Sequence, residues 1–397
     1  MKYIVLVGDG MGDYPIEKLG NKTPLEKAKK PYMDYLASKG IVGLAETVPP
    51  EMVPESDTAN LALMGYDPRV YSKGRSPLEA VSMGIEMQPE DTAFRCNIVT
   101  LSDKCEAYDN KIILDHSAGE INDKDAHKII ATIDKELGND TRKFYAGVSY
   151  RHCLIWKDCP AVCSFTRPHD ILGKRIGNFL PEADEYRRLM VKSFDILKNH
   201  PTNLRRVSEG KSPANSIWLW SNGKKPALPP FSDKFNIKAA AISAVDLIKG
   251  IAICAGMESI DVEGATGTLN TNYHGKAKAA IDALGRNDLV YIHVEAPDEC
   301  GHRGEAENKV LSIEYIDGML GFLMDEMKKS GQDYKILLCC DHPTPIELRT
   351  HSHEPIPFVI YQSNNETETG LYYSEEQAKR TGLYIKDGST LINLLIK

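Results

Sequence analysis

The sequence lacks any long apolar run. None of its hydrophobic stretches approaches the roughly 20 residues that span a bilayer, so no membrane association is expected. The apolar stretch at residues 3–7 is too short for a signal peptide and has no small-residue cleavage site, so it predicts a buried strand. Lys and Arg are not clustered and the net charge is −8, which argues against nucleic acid but not against a small anionic substrate.

Several catalytic and cofactor motifs are also missing. There is no GxxxxGK(S/T) phosphate loop, no GxGxxG after a strand, no GxSxG elbow and no HExxH zinc motif. Their absence weakens the case for a conventional nucleotide-dependent kinase. The nine cysteines are irregularly spaced and include no CxxC pair, so they indicate reduced thiols in a cytoplasmic protein.

Short apolar segments that end in acidic residues are present instead. Residues 3–7, 288–295 and 335–340 predict parallel strands that are buried on both faces. Apolar spacing predicts helices over residues 25–39 and 305–328. Strands that alternate with helices indicate an α/β fold with a mostly parallel sheet.

The middle of the chain has a different character. At 397 residues the chain is too long for one ordinary hydrophobic core. From about residue 85 to 235 it contains alternating apolar and polar runs with many Pro, Gly and Asn breaks. If the two ends of the chain build one site, residues 85–235 form a smaller inserted domain, and residues 1–84 and 236–397 form the main domain.

Aspartate and histidine residues lie at or just after the predicted strand ends. Each alone has an ordinary explanation as a turn residue, a helix cap or a partly buried polar group. Because the carboxyl ends of parallel strands meet at one sheet edge, the set predicts a metal site. Mixed Asp and His ligands suit Zn²⁺ or Mn²⁺, and there are enough of them for two ions. The set consists of Asp9, Asp298, His302, Asp341, His342 and His351.

Ser56 starts a predicted helix that Gly65 closes. One interpretation is an ordinary helix start, in which Ser, Asp or Thr caps the first turn. The other is a phosphoryl acceptor, because free amides at a helix start stabilise phosphate and a nearby cation lowers the pKa of a hydroxyl group. The pattern alone leaves both interpretations open.

The ordered motifs of the chain resemble those of the archaeal-type, cofactor-independent (2,3-bisphosphoglycerate-independent) phosphoglycerate mutases of the alkaline phosphatase superfamily. The resemblance covers almost the whole chain. The motifs are GDGMGD at 8–13, ESDTANLALMGYDP at 55–68, GVSYRH at 147–152, AISAVDLIKGIAICAG at 241–256, GATGTLNTNYHGKAKAA at 264–280, Asp298 with His302, and DHPTP at 341–345.

The resemblance implies a metal-binding, alkaline-phosphatase-like catalytic domain interrupted by a smaller α/β substrate-binding domain. Ser56 would carry the phosphoryl group between 3-phosphoglycerate and 2-phosphoglycerate in glycolysis. No 2,3-bisphosphoglycerate would be needed, the metals would be Mn²⁺ or Zn²⁺ with Mg²⁺ a further candidate, and the oligomeric state stays open. One ion would be held by Asp9, Ser56, Asp341 and His342, and the other by Asp298, His302 and His351.

His351 is preferred to His353 as a ligand because the family pattern places His three residues before Pro-x-Pro. The resemblance also implies that the small anionic phosphorylated substrate is bound by Arg151, His152 and Lys249. A guanidinium group suits bidentate contacts with carboxylate or phosphate. For each of these three the competing interpretation is an ordinary solvated surface residue.

Two features depart from the family pattern. Residues 114–120 read LDHSAGE where the mutases carry an arginine-containing segment, and Glu55 replaces a common glycine before Ser56. These departures fit a divergent branch proposed to act as a homoserine kinase, which is the alternative function. A non-catalytic metal-binding protein is a third hypothesis, but every ligand position holds a competent residue.

Overall fold

The computed structural model describes residues 1–103, 107–161 and 163–397. Two compact units are present: Met1–Ser72 with Ala227–Lys397, and Lys73–Pro226. The smaller unit starts and ends earlier than the predicted range 85–235. It starts earlier because the helix at Ser76–Ser82 packs against strands of that unit. It ends earlier because the Phe231 amide donates to Ala255 and the Tyr66 hydroxyl donates to Pro229, both within the larger unit.

The strands of the described residues are numbered along the chain. They are β1 (Lys2–Gly8), β2 (Ile41–Ala45), β3 (Asp91–Leu101), β4 (Ile113–Asp115), β5 (Arg142–Tyr145), β6 (Arg151–Lys157), β7 (Ser216–Lys224), β8 (Ala239–Ile242), β9 (Glu258–Ile260), β10 (Leu289–Val294), β11 (Tyr334–Cys339), β12 (Ile356–Gln362) and β13 (Tyr384–Ile385).

The α-helices are numbered in the same way. They are α1 (Pro24–Lys27), α2 (Pro31–Lys39), α3 (Ser56–Leu63), α4 (Pro68–Tyr71), α5 (Ser76–Ser82), α6 (Asp123–Leu137), α7 (Asp184–Leu197), α8 (Pro201–Ser208), α9 (Phe231–Phe235), α10 (Asp246–Cys254), α11 (Tyr273–Leu284), α12 (Ala296–Arg303), α13 (Ala306–Ser330), α14 (Glu375–Arg380) and α15 (Leu391–Ile396). None of these helices is both long and apolar enough to cross a membrane.

The larger unit is built on an eight-stranded sheet in the order β13-β2-β12-β11-β1-β10-β8-β9. All neighbours pair in parallel except that β12 is antiparallel to both β11 and β2. The predicted α/β fold with a mostly parallel sheet is therefore confirmed. The strands β11, β1 and β10 are adjacent, which places their carboxyl ends side by side.

The central strands are nearly all apolar because helices cover both faces of a parallel sheet. Every residue of β10 and β11 is buried. The predictions of strands at residues 3–7, 288–295 and 335–340 are confirmed by β1, β10 and β11, and the prediction of a helix over residues 305–328 is confirmed by α13.

The prediction of one helix over residues 25–39 is wrong, because the segment forms two helices, α1 and α2. Pro31 lacks an amide hydrogen, so it cannot continue a helix from the preceding turn, but it fits the first turn of a new one. Ala28, at the carboxyl end of α1, has extended torsions with φ −63° and ψ 141°.

The smaller unit contains an antiparallel sheet in which β3 pairs with β4, β6 and β7, and β5 pairs with β6. Helices α5, α6 and α7 pack against these strands. The core of this unit is mostly aliphatic but includes the large aromatic side chains Phe94, Tyr186 and Trp218, which are at most 1% exposed. In the described residues of both units the eight cysteines are free thiols.

Asp317 on α13 is buried against the start of α2. Its Oδ1 accepts a hydrogen bond from the Met33 amide at 2.7 Å. Burial raises the pKa of Asp317 to about 6, although the amides of Met33 and Tyr32 oppose the shift. Folding thus disfavours the ionised form of this carboxyl group, since the ordinary pKa is 3.8.

We expect Asp317→Asn to become more stable relative to the wild type as the pH rises. The unfolded chain loses the Asp317 proton near its ordinary pKa, whereas the folded chain keeps it to higher pH, so ionisation reduces wild-type stability over that interval. Between about pH 4 and pH 7 the difference in free energy of unfolding should move by about 2 kcal/mol in favour of the variant, after allowance for solvent screening. Urea denaturation at several pH values measures this difference, with the exposed Asp325→Asn on the same helix as the control. A difference that does not change with pH would refute the prediction.

Candidate active site

Three carboxylates meet where the central strands end. Asp9 follows β1 directly, Asp341 follows β11, and Asp298 lies in the first turn of α12 after β10. Their exposed fractions are only 2%, 0% and 5%, respectively. Gly10, with φ 65°, permits the loop after β1 to approach α12 closely, because a Cβ at this position would lie 2.8 Å from Cα of Asp298.

The first cluster consists of Asp9, His293 and Asp341, which can each present a ligand atom within 4.8 Å of the others. The His293 Nε2 lies 3.1 Å from Asp9 Oδ2. Asp341 accepts hydrogen bonds from the Gly10 amide at 3.2 Å and from Asn60 Nδ2 at 2.8 Å. Within the described chain, Asp9 Oδ1 and His293 Nε2 are buried without a hydrogen-bond partner.

The second cluster consists of Asp298, His342 and His351, with ligand atoms again within 4.8 Å. His302 joins it, since its Nε2 lies 3.2 Å from Asp298 Oδ2 and 3.0 Å from His351 Nε2. The ring of His342 stacks on that of His351 with centroids 3.9 Å apart. The Nε2 of His342 is also 3.7 Å from Asp9 Oδ1, so His342 lies close to the first cluster as well.

The histidines of the second cluster present Nε2 lone pairs to one another. His302 Nδ1 lies 3.0 Å from the Arg349 carbonyl and His351 Nδ1 lies 2.7 Å from the Pro54 carbonyl. A carbonyl oxygen only accepts, so each Nδ1 carries the proton and each Nε2 is a lone-pair donor for a cation. Two lone pairs 3.0 Å apart beside a carboxylate repel unless a positive charge lies between them.

The pKa values of the carboxylates are also shifted by the neighbouring charges. Burial, together with the charges of Asp341 and Asp298, raises the pKa of Asp9 well above its usual range. Burial also opposes the ionisation of Asp298, but the imidazoles of His302 and His351 beside it outweigh burial and hold its pKa well below the usual range. The buried lone pairs, the orphaned Asp9 oxygen and the mixed Asp and His donors fit a pair of divalent cations.

Ser56 is the first residue of α3, and its Oγ lies 3.2 Å from Nε2 of His342. One turn later, Asn60 Nδ2 donates to the Ser56 carbonyl at 2.9 Å and to Asp341 Oδ2 at 2.8 Å. The Tyr291 hydroxyl on β10 donates to Asn60 Oδ1. Asn60 therefore fixes the start of α3 against the metal-ligand cluster.

A buried ion pair joins the two loops that carry the ligands. Lys309 on α13 is fully buried, and its Nζ donates to Asp13 Oδ2 at 2.7 Å, to the Gly12 carbonyl at 3.1 Å and to the Thr344 carbonyl at 2.9 Å. The carboxylate of Asp13 in turn accepts from the Ile346 amide at 3.2 Å. Lys309 thus ties the loop after β1 to the loop after β11.

The predicted substrate residues in the smaller unit differ in exposure. Arg151 at the start of β6 is exposed, and its guanidinium lies 5.9 Å from the ring centroid of Tyr150. His152 is 4% exposed, and its Nδ1 accepts from the Gly147 amide at 3.0 Å. This contact gives His152 a role in supporting the loop before β6.

Lys249 on α10 belongs to the larger unit. Its Nζ lies 2.6 Å from Oδ1 of Asp261, whose side chain is 84% exposed. An exposed carboxylate competes weakly with an anionic ligand for this ammonium group. His353, the less favoured alternative to His351, is exposed and is not part of either cluster.

His293, Asn60 and Lys309 were not among the residues predicted from the sequence. His293 could have been found because it interrupts the apolar run of β10 two residues after Tyr291, on the same face of the strand. Asn60 lies four residues after Ser56, on the same face of the helix. No sequence pattern pairs Lys309 with Asp13, since 296 residues separate them.

We expect Lys309→Met to lower the free energy of unfolding by about 3–5 kcal/mol, because it leaves the buried Asp13 carboxylate unpaired. Urea denaturation measures the loss, with Lys329→Met as the matched control, since Lys329 is on the same helix with its side chain 72% exposed. The double variant Asp13→Asn, Lys309→Met should recover part of the loss. Equal stability of the two lysine variants would refute the role given to Lys309.

Known proteins share this arrangement of sequence and fold. The profile of the family described as 2,3-bisphosphoglycerate-independent phosphoglycerate mutase matches residues 37–203. A protein of that name from Methanosarcina barkeri is 48% identical over 403 residues, with 100% of both chains covered. One from Geobacter sulfurreducens, named a probable mutase, is 47% identical over 401 residues, also with 100% of both covered.

Solved structures agree with the sequence relatives. A cofactor-independent phosphoglycerate mutase from Thermoplasma acidophilum is 28% identical with a TM-score of 0.69, and the match covers 100% of this chain and 99% of that one. A Pyrococcus horikoshii protein gives a TM-score of 0.83 at 29% identity, covering 100% of this chain and 96% of that one. Full-length identity near one half is far above what a shared fold alone requires. The chain belongs to the 2,3-bisphosphoglycerate-independent phosphoglycerate mutase family.

Proposed function

We propose that this chain interconverts 3-phosphoglycerate and 2-phosphoglycerate through a phosphoserine intermediate on Ser56, without 2,3-bisphosphoglycerate. The observation that carries the proposal is the placement of the Ser56 hydroxyl 3.2 Å from His342, which belongs to one cluster of Asp and His residues and lies 3.7 Å from a carboxylate oxygen of the other. The names of the full-length relatives favour the same reaction. A cytoplasmic enzyme of glycolysis fits the free thiols of the described cysteines.

The two clusters would hold two divalent cations. We assign one ion to Asp9, Ser56, Asp341 and His342, and the other to Asp298, His302 and His351. Bound cations would lower the pKa of the Ser56 hydroxyl and neutralise phosphoryl oxygens. The imidazole ligands favour Mn²⁺ or Zn²⁺ over Mg²⁺, which stays a candidate.

Residues of the chain would have separate roles in phosphoryl transfer. Ser56 Oγ attacks phosphorus, the bond from phosphorus to the 3-oxygen of the substrate breaks, and that oxygen gains a proton in place of the one lost by Ser56. The amides of the first turn of α3 stabilise the phosphoryl group. After glycerate reorients, its 2-oxygen attacks the phosphoserine, and Ser56 regains its proton. Atoms and protons balance over the cycle.

We assign substrate binding to Arg151, His152 and Lys249. The exposed guanidinium of Arg151 is free to form paired hydrogen bonds with a carboxylate or a phosphate. For His152 a supporting role is favoured, since Nδ1 already accepts from an amide and the ring is buried. On substrate binding, the ammonium group of Lys249 would leave Asp261 and form an ion pair with the substrate anion.

The alternative function, phosphoryl transfer to homoserine, rests on the lost arginines of residues 114–120. In this segment Asp115 accepts hydrogen bonds from the amides of Ser117 at 2.7 Å and Gly119 at 2.6 Å. Ala118 and Glu120 adopt positive φ values of 50° and 48°. Asp115 thus organises a tight turn with no arginine, but full-length relatives named as mutases favour phosphoglycerate as the substrate.

We expect Ser56→Ala to reduce turnover of 3-phosphoglycerate by at least about 10³-fold, because the variant has no phosphoryl acceptor. A coupled assay for 2-phosphoglycerate measures the loss, and Ser38→Ala on α2 is the control. Mass spectrometry of quenched wild-type enzyme should find one phosphoryl group on the peptide containing Ser56. A parallel assay with homoserine and ATP should give no phosphohomoserine. Retained mutase activity in the variant, or phosphohomoserine as the product, would overturn the proposal.

We expect complete loss of turnover when the metal is removed with a chelator, and recovery on addition of Mn²⁺ or Zn²⁺. Elemental analysis of the reconstituted chain should find two ions per chain, since there is one cluster for each. Added 2,3-bisphosphoglycerate should not change the rate. Activity in a preparation shown by elemental analysis to contain no metal would contradict the assignment of both clusters.

A further inference from the structure

We propose that His293 is a metal ligand, binding through Nε2 to the ion held by Asp9 and Asp341. This inference rests on the proposed metal centre and extends its ligand set by one residue. The assignment made from the sequence gives this ion one imidazole ligand, His342, and His293 would be a second.

The position of His293 on β10 directs its ring to the first cluster. The residue is fully buried, and it pairs in register with Val7 of β1, two residues before Asp9. Its Nε2 lies 3.1 Å from Asp9 Oδ2, and its ligand atom is within 4.8 Å of that of Asp341. No hydrogen-bond partner of Nε2 is present in the described parts of the chain.

The other ring nitrogen of His293 is engaged in the same way as in the neighbouring histidines. His293 Nδ1 lies 3.3 Å from Ser243 Oγ, which already accepts from the Val245 amide at 3.0 Å. His342 Nδ1 lies 3.4 Å from Thr344 Oγ1, whose hydroxyl donates to Asp298. In both cases the hydroxyl oxygen has a lone pair for an Nδ1 proton.

His293, His302, His342 and His351 therefore share one pattern. Each has an oxygen atom beside Nδ1, and each directs Nε2 toward the carboxylates. This is how proteins orient histidine ligands, because the second hydrogen bond fixes both the tautomer and the ring. Most buried polar atoms have a hydrogen-bond partner, so the unpartnered Nε2 of His293 needs a specific explanation, and a cation bound there supplies one.

A charged His293 paired directly with Asp9 is the competing interpretation. A contact of the His293 carbonyl argues against this interpretation. The buried Lys276 Nζ donates to that carbonyl at 3.0 Å and already brings one positive charge to this strand. A second buried cation on the same residue would have to be desolvated near that ammonium group. A neutral imidazole that donates its lone pair to a divalent ion avoids this cost.

The proposal predicts a change of metal binding in His293→Asn. We expect the variant to bind two Co²⁺ ions with one affinity reduced by more than about 100-fold, since removal of a residue that only orients a ligand costs about 10–100-fold. Its visible absorption spectrum should shift as well, because an imidazole ligand is lost. Calorimetric and spectroscopic titration of the metal-free chain measure both, with His274→Asn on α11, an exposed histidine, as the control.

A second measurement uses the wild-type chain and does not depend on how the variant folds. In the Co²⁺-loaded protein, each histidine bound through Nε2 gives one exchangeable, paramagnetically shifted Nδ1–H proton signal. We expect four signals, from His293, His302, His342 and His351. Three signals, or a variant with unchanged affinity and spectrum, would overturn the assignment of His293. Failure of the wild type to bind two ions would instead refute the proposed metal centre.

Discussion

The organisation of the site depends on the repulsion among buried negative charges and lone pairs at one sheet edge. Asp9, Asp298 and Asp341 are all at most 5% exposed, and the nearest imidazole nitrogens are directed at them. Such a cluster is unstable without positive charge at its centre. The surrounding contacts hold the ligands in place against this repulsion, so that the folded chain presents a preformed site for cations.

These supporting contacts come from separate parts of the larger unit. Lys309 ties the loop of Asp13 to the loop of Thr344, and Asn60 connects the helix of Ser56 to Asp341. The nucleophile is thereby positioned by the same hydrogen bonds that orient a metal ligand. A change in either loop should consequently affect metal binding and the position of Ser56 together.

Much of this arrangement could be predicted from the sequence. Apolar runs that end in acidic residues identified the central strands, because burial on both faces leaves a simple pattern. The pairing of these strands in the structure brings residues 9, 298 and 341 together at one sheet edge. The ends of helices depended on local chemistry, and a single proline divided the helix predicted over residues 25–39. His293 and Lys309 were missed because their partners are remote in sequence, and a buried polar residue in an apolar segment has many structural explanations. The turn at residues 114–120 could not be predicted either, since it depends on the hydrogen bonds of Asp115.

The most direct test of the central claim is a crystal structure of the Mn²⁺-loaded chain with diffraction data collected at the manganese absorption edge. We expect two anomalous difference peaks, one between Asp9 and Asp341 and the other beside Asp298, His302 and His351. Ser56 Oγ should lie next to at least one of them. A map with no peak at either cluster, in crystals shown to contain manganese, would contradict the claim that buried carboxylates and imidazoles form a two-metal centre around this serine.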